Sequence, residues 1–121
     1  MKRDDLIKRT KAFAHRCVKL AMALPDTTLG RHIRRQQIKC STSVAANYRA
    51  TCISQSKASF IAKISIVLEE CDETAFWLEF IIDEKLLEKK RVEPLLQEAQ
   101  ELTAIFAASR KTATKQSLKI E

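Results

Sequence analysis

The sequence predicts an all-α fold, an antiparallel up-down-up-down four-helix bundle, on three observations. The chain of 121 residues holds one glycine, Gly30, and two prolines, Pro25 and Pro94, so residues able to make the frequent tight turns of a sheet protein are scarce. Hydrophobic residues make up 45% of it, enough for one core at this length but not for two. Apolar residues also recur at helical spacing in four successive segments, separated by short polar or proline-containing breaks. The bundle is expected over residues 1–113, followed by a basic, partly disordered tail over residues 114–121.

The first helix is expected to start at Asp4 or Asp5 as cap, with Leu6, Thr10, Phe13, Cys17, Leu20 and Leu24 on its inner stripe. Lys8, Lys11, His15 and Lys19 fall opposite. Pro25-Asp26 ends it. Thr27 or Thr28 then caps a second helix with Leu29, Ile33, Cys40, Val44, Asn47 and Thr51 inward and Arg31, Arg35, Lys39, Thr42 and Arg49 outward. Polar residues near Ile53-Ser54-Gln55-Ser56 make the next turn. The third helix is expected to run to about Lys85, with Phe60, Ile64, Val67, Cys71, Leu78 and Ile82 on the core face. It is apolar on a second side as well, where Ala62, Ile66, Trp77 and Phe80 alternate with Glu69, Glu70 and Glu73. That is more apolar surface than one side of a monomeric bundle hides, so Ile66, Trp77 and Phe80 are expected at a subunit interface. Pro94 is expected near the first turn of the fourth helix, whose stripe is Leu95, Ala99, Leu102 and Phe106.

Charge divides the chain in two. Residues 1–63 hold 14 of the 22 lysines and arginines and three of the 15 carboxylates, a balance of about +11, while residues 64–121 come to about −4. A one-sided field steers polyanions toward one end of a small protein. The alternative is that the two halves attract each other, within a chain or between identical subunits. The pI near 9.4, the charged start Met1-Lys2-Arg3-Asp4-Asp5 and the lack of any apolar run approaching ~18 residues predict a cytoplasmic protein with no membrane segment.

The four cysteines, Cys17, Cys40, Cys52 and Cys71, form no C-x-x-C pair. Three lie in phase with helix-core residues, which predicts reduced packing thiols rather than disulfides or metal ligands. His15 and His32 sit on polar stripes and are expected in solvent. Neither follows a glutamate by three, so the Glu-x-x-His pattern of di-iron bundles is missing despite Glu69, Glu70, Asp72 and Glu73. No metal and no cofactor is expected. No nucleophile elbow or phosphate loop occurs, so catalysis has no support. Asp72 and Thr74 are expected to join Asn47 or Gln36 in buried hydrogen bonds that set helix register. On the second helix Arg31, Arg35, Lys39 and Arg49, with Arg34 beside them, have the clustering that phosphate contact requires. A solvated helix face explains the same spacing, and the lack of exposed aromatics for base stacking counts against nucleic acid.

Several of these segments together resemble one bacterial family. Ile33-Arg34-Arg35, then Cys40-Ser41-Thr42-Ser43-Val44-Ala45-Ala46-Asn47-Tyr48-Arg49-Ala50, then Ser56-Lys57-Ala58-Ser59-Phe60, then Ile66-Val67-Leu68-Glu69-Glu70-Cys71-Asp72-Glu73-Thr74 with Trp77-Leu78-Glu79 are similar to the four-helix-bundle family of the 23S rRNA intervening-sequence proteins. Ala108-Ser109-Arg110-Lys111-Thr112-Ala113 is similar to the ending of one branch. Many members break the second helix at Ala-Glu-Gly; here Ala45-Ala46-Asn47 replaces it, so the helix is expected to run on toward Ala50. The resemblance implies a homopentameric ring. Related accessory proteins of diversity-generating retroelements use a basic surface on nucleic acid, so RNA or DNA becomes the candidate partner. Against this stands a self-assembling scaffold whose charges serve its own interfaces.

Overall fold

Apolar periodicity becomes four helices, with α1 at Arg3–Met22, α2 at Thr28–Cys52, α3 at Lys57–Asp83 and α4 at Lys89–Ile120, in a computed structural model. The structure describes residues 1–120, with side chains through Gln116. Among the described residues there is no strand. Short turns reverse the chain each time, so α1 packs on α2, α2 on α3 and α3 on α4, while α1 and α4 meet more lightly.

The turns follow local chemistry. Thr27 caps α2, its hydroxyl accepting from the Gly30 N–H at 3.0 Å. The Pro25 carbonyl then passes so close that a Cβ on Gly30 would stand 1.9 Å from its oxygen. Glycine is required there for space. Ser56 caps α3, accepting from the Ser59 N–H at 3.0 Å. At the far end α3 closes in a Schellman turn: the Leu86 N–H reaches the Ile81 carbonyl and the Lys85 N–H that of Ile82, both at 3.0 Å, with Lys85 left-handed at φ 55°.

The core contains every residue expected from α1 and from α4, and Phe13, Cys17, Leu102 and Phe106 lie at its centre. Elsewhere the structure corrects the reading. Lys2, not Asp4 or Asp5, occupies the α1 cap position and makes no side-chain cap bond; the two carboxylates sit in the first turn, where they face the positive helix end. On α2, Tyr48 is buried, while Asn47 is half-buried and donates to Ser43 of its own helix. The α3 stripe turns by one residue near its end, so Ile81 is buried and Ile82 only half-buried. This helix ends at Asp83, and α4 starts at Lys89, which puts Pro94 inside α4. Residue 113 is no boundary: α4 continues to Ile120, Ala113 is buried, and the Lys57 ammonium donates to the Gln116 amide oxygen at 2.8 Å. Ala113 and Gln116 give those last turns something to pack against. The expectation for Glu121, and for the side chains of 117–120, lies outside the described residues.

Buried hydroxyls are satisfied locally, against the expected cross-helix network. Thr10, Ser41, Thr51 and Thr74 each donate to a carbonyl one turn earlier, at 2.6 to 2.8 Å. Asp72 is exposed. A buried hydrogen bond that does cross between helices runs from the Cys71 thiol of α3 to the Ala99 carbonyl of α4 at 3.4 Å, and Gln37 lies fully inside the core beside the Cys17 thiol with neither side-chain polar atom in a hydrogen bond. Cys17, Cys40 and Cys71 are buried free thiols, and Cys52 is half-buried. Burial pushes the Cys17 thiol up to about 12 and those of Cys40 and Cys71 up to about 11, which removes thiolate reactivity near neutral pH.

Candidate functional site

Two surfaces gather the candidate residues. One is the outer face of α2. Arg31, Arg35, Lys39, Thr42 and Arg49 are all exposed there, because the opposite stripe of Ile33, Cys40 and Val44 fills the core. At 1.5 Å rise per residue the stripe from Arg31 to Arg49 is about 27 Å long. The exposed Lys8, Lys11, His15 and Lys19 of α1 form a second basic line.

The cations are not equally available. Arg35, Lys39 and Arg49 form no ion pair among the described residues, whereas Arg31 is paired with Asp26 at 2.9 Å. Arg34 is not a surface residue of this stripe. It is half-buried on the α1 side of the helix and donates to the Leu24 carbonyl at 2.9 Å, clamping the α1–α2 turn. One residue step, a rotation of about 100°, separates it from Arg35 on the solvent-facing line. Lys39 also lies within the field of Glu70. Burial and neighbouring Glu73 raise the Glu70 carboxyl above its ordinary value, and Lys39 opposes the shift.

The second surface is the outer side of α3. Ile66 is 42% exposed, as expected of a residue off the core stripe, while Trp77 and Phe80 are half-buried and pack against the core edge. The sequence reading missed Phe76, which is 50% exposed. Its ring stands 4.9 Å from Trp77 and 6.0 Å from Phe80, and His32 of α2 meets Trp77 edge-on at 5.5 Å. The chain therefore does present aromatics near its basic helix. The spacing Phe76, Phe80 at i, i+4 was the available signal. Exposed Asp72, Glu73 and Glu79 surround Phe76 on neighbouring helix positions, so the aromatic patch sits in a negative rim. The Trp77 indole N–H is buried without a partner.

Among the described residues no group of three histidines, cysteines or carboxylates is placed to hold a metal ion. No helix of the described residues is long and apolar enough to cross a membrane.

The relationships of the chain agree with this geometry. Residues 2–108 match the family model of the 23S rRNA-intervening sequence protein. The chain belongs to this family. The intervening-sequence fold is also seen in the crystal structure of a protein of unknown function from the S23 ribosomal protein family of Bacteroides thetaiotaomicron. The two are 28% identical and superpose with a TM-score of 0.80 over 87% of this chain and 97% of the other. No curated protein matches this intervening-sequence protein.

Proposed function

We propose that this protein is a non-enzymatic, cytoplasmic homo-oligomer that binds the backbone of RNA or DNA through the basic faces of α1 and α2. The observation that carries the reading is the line of Arg35, Lys39 and Arg49, solvent-facing and without intramolecular ion pairs among the described residues. Nothing on this line is shaped to read base edges, so phosphate contact with little sequence preference is the chemistry it supports. Self-association is supported by Ile66 and Phe76, which leave apolar surface in water on α3, and the pentameric ring follows from the family resemblance. Several copies of the basic line on one particle would add avidity.

The scaffold reading has an observation of its own. Phe76 lies among Asp72, Glu73 and Glu79, a surface that suits a basic helix of another subunit better than a polyanion. Changing Arg31, Arg35 and Lys39 together to glutamine separates the two readings. Nucleic-acid binding should weaken and its salt dependence should flatten, from a log-log slope near −0.9 per phosphate on duplex DNA, while light scattering reports an unchanged mass. Loss of the oligomer, with no nucleic-acid binding by the unaltered protein at low salt, would assign the charges to self-assembly.

A further inference from the structure

The opposite end of the bundle, where α1 and α3 begin and α2 finishes, carries a separate surface. A partly buried ion pair between Arg9 and Glu98, with Glu101 at 3.6 Å, holds α1 to α4 near mid-height. Toward that end lies a groove of about 800 Å³ lined by the start of α1, the end of α2 with the turn that follows it, the start of α3 and the last turns of α4. Leu6, Phe60, Ile105 and Ala108 supply apolar walls, and Arg3 and Lys57 supply charge. Among the described residues no carboxylate lines the groove. Met1, 73% exposed, is an apolar lining residue open to water.

These features select one kind of occupant. A polyanion would satisfy Arg3 and Lys57 but leave Met1 in water, and the half-buried Phe60 offers no stacking platform. A neutral apolar ligand would use the walls and ignore the cations. An amphipathic helix with acidic and aliphatic faces uses both, in the manner of helix-in-groove recognition. We propose that this groove docks an acidic amphipathic segment of a partner protein, its aliphatic side chains on Leu6, Phe60 and Ile105 and its carboxylates toward Arg3 and Lys57. The proposal is independent of the basic face of α2. The rim of Phe76 has the opposite charge, so the two ends of the bundle select different partners.

Fluorescence anisotropy tests this on the full chain. The probes are a labelled helical peptide of leucine, alanine and glutamate, its counterpart with lysine for glutamate, and a labelled oligouridylate. Ala108→Trp fills the groove from an exposed wall position. The pair Arg3→Glu and Lys57→Glu reverses its charge at first-turn positions, where glutamate favours the helix, so folding is retained. The glutamate peptide should bind in preference to the lysine peptide, and each set of changes should weaken it roughly tenfold or more, with oligouridylate binding unchanged. Equal binding of both peptides, or full binding to Ala108→Trp, overturns the proposal. So does loss of oligouridylate binding in the same variants, which would make the groove a nucleic-acid site, or a changed particle mass, which would make it a subunit contact.

Discussion

α1 and α3 present the same problem to a reader of the sequence and differ in how well they answer it. On α1 a single apolar stripe faces a line of Lys8, Lys11, His15 and Lys19, and every residue assigned to either side lies where it was placed. On α3 apolar residues occur on two sides. The core stripe holds through Ile64, Val67, Cys71 and Leu78, then Ile81 rather than Ile82 turns inward, and Phe76 is left in water. Polar residues, not apolar ones, set the azimuth of a helix in a sequence, because a charge is costly to bury whereas an apolar side chain is often exposed. Phe80-Ile81-Ile82 contains no such marker.

The sharpest way to break this comparison is to truncate one phenylalanine on each helix. Phe13 on α1 is 1% exposed and Phe76 on α3 is 50% exposed. Phe13→Ala should cost about 3 to 5 kcal/mol in urea denaturation, from lost burial plus the cavity left behind. Phe76→Ala should stay within about 0.5 kcal/mol of the parent at concentrations where the chain is monomeric, and should weaken self-association measured by light scattering. Similar losses for both would mean that the second face of α3 is core.

What was legible follows the same rule. Four helices, the Thr27 cap, the polar turn before α3, the outward line of α2 and the α4 stripe could be read, because each is written in one turn or one period. Arg34 was grouped with the outward line of α2, since its role depends on where the α1–α2 turn brings the Leu24 carbonyl. Gln37 escaped notice for a related reason: a glutamine one turn from Ile33 looks like a flank, and only packing shows it buried. The Arg9–Glu98 pair joins residues 89 apart, a distance at which no local pattern speaks. Phe76 was passed over beside Trp77 and Phe80, although it stands at i, i+4 to Phe80 on the face expected at a subunit interface.

That long-range pair provides the next test, because it joins the well-read α1 to a helix it otherwise meets lightly. The hydrogen bonds from Arg9 hold the Glu98 carboxyl below its ordinary value of 4.5. A depressed carboxylate contributes stability at pH values above its unfolded range and loses it as pH falls through the folded value. The parent protein should therefore lose stability below about pH 4.5. In Glu98→Gln that part of the acid loss should disappear, together with about 1 to 2 kcal/mol at neutral pH. Denaturant midpoints measured across pH for both proteins check this. Parallel curves at all pH values would show that α1 and α4 are held by packing alone.

The smallest expected effect lies at the end of α3, where the sequence reading carried the helix about two residues too far. Lys85 adopts φ 55° to close the Schellman turn, a conformation that crowds the Cβ of any L-residue other than glycine. Its side chain is exposed and makes no ion pair among the described residues, so little is lost by removing it. Lys85→Gly should relieve the backbone strain and stabilise the protein by about 0.5 to 1 kcal/mol, the usual gain at this helix position outweighing the extra freedom of glycine in the unfolded chain. Lys85→Ala should give no such gain, since alanine keeps the Cβ. Thermal melting of the three proteins at equal concentration compares them directly. If alanine and glycine behave alike, the strain is absent and α3 extends to Lys85 in solution, as its sequence suggests.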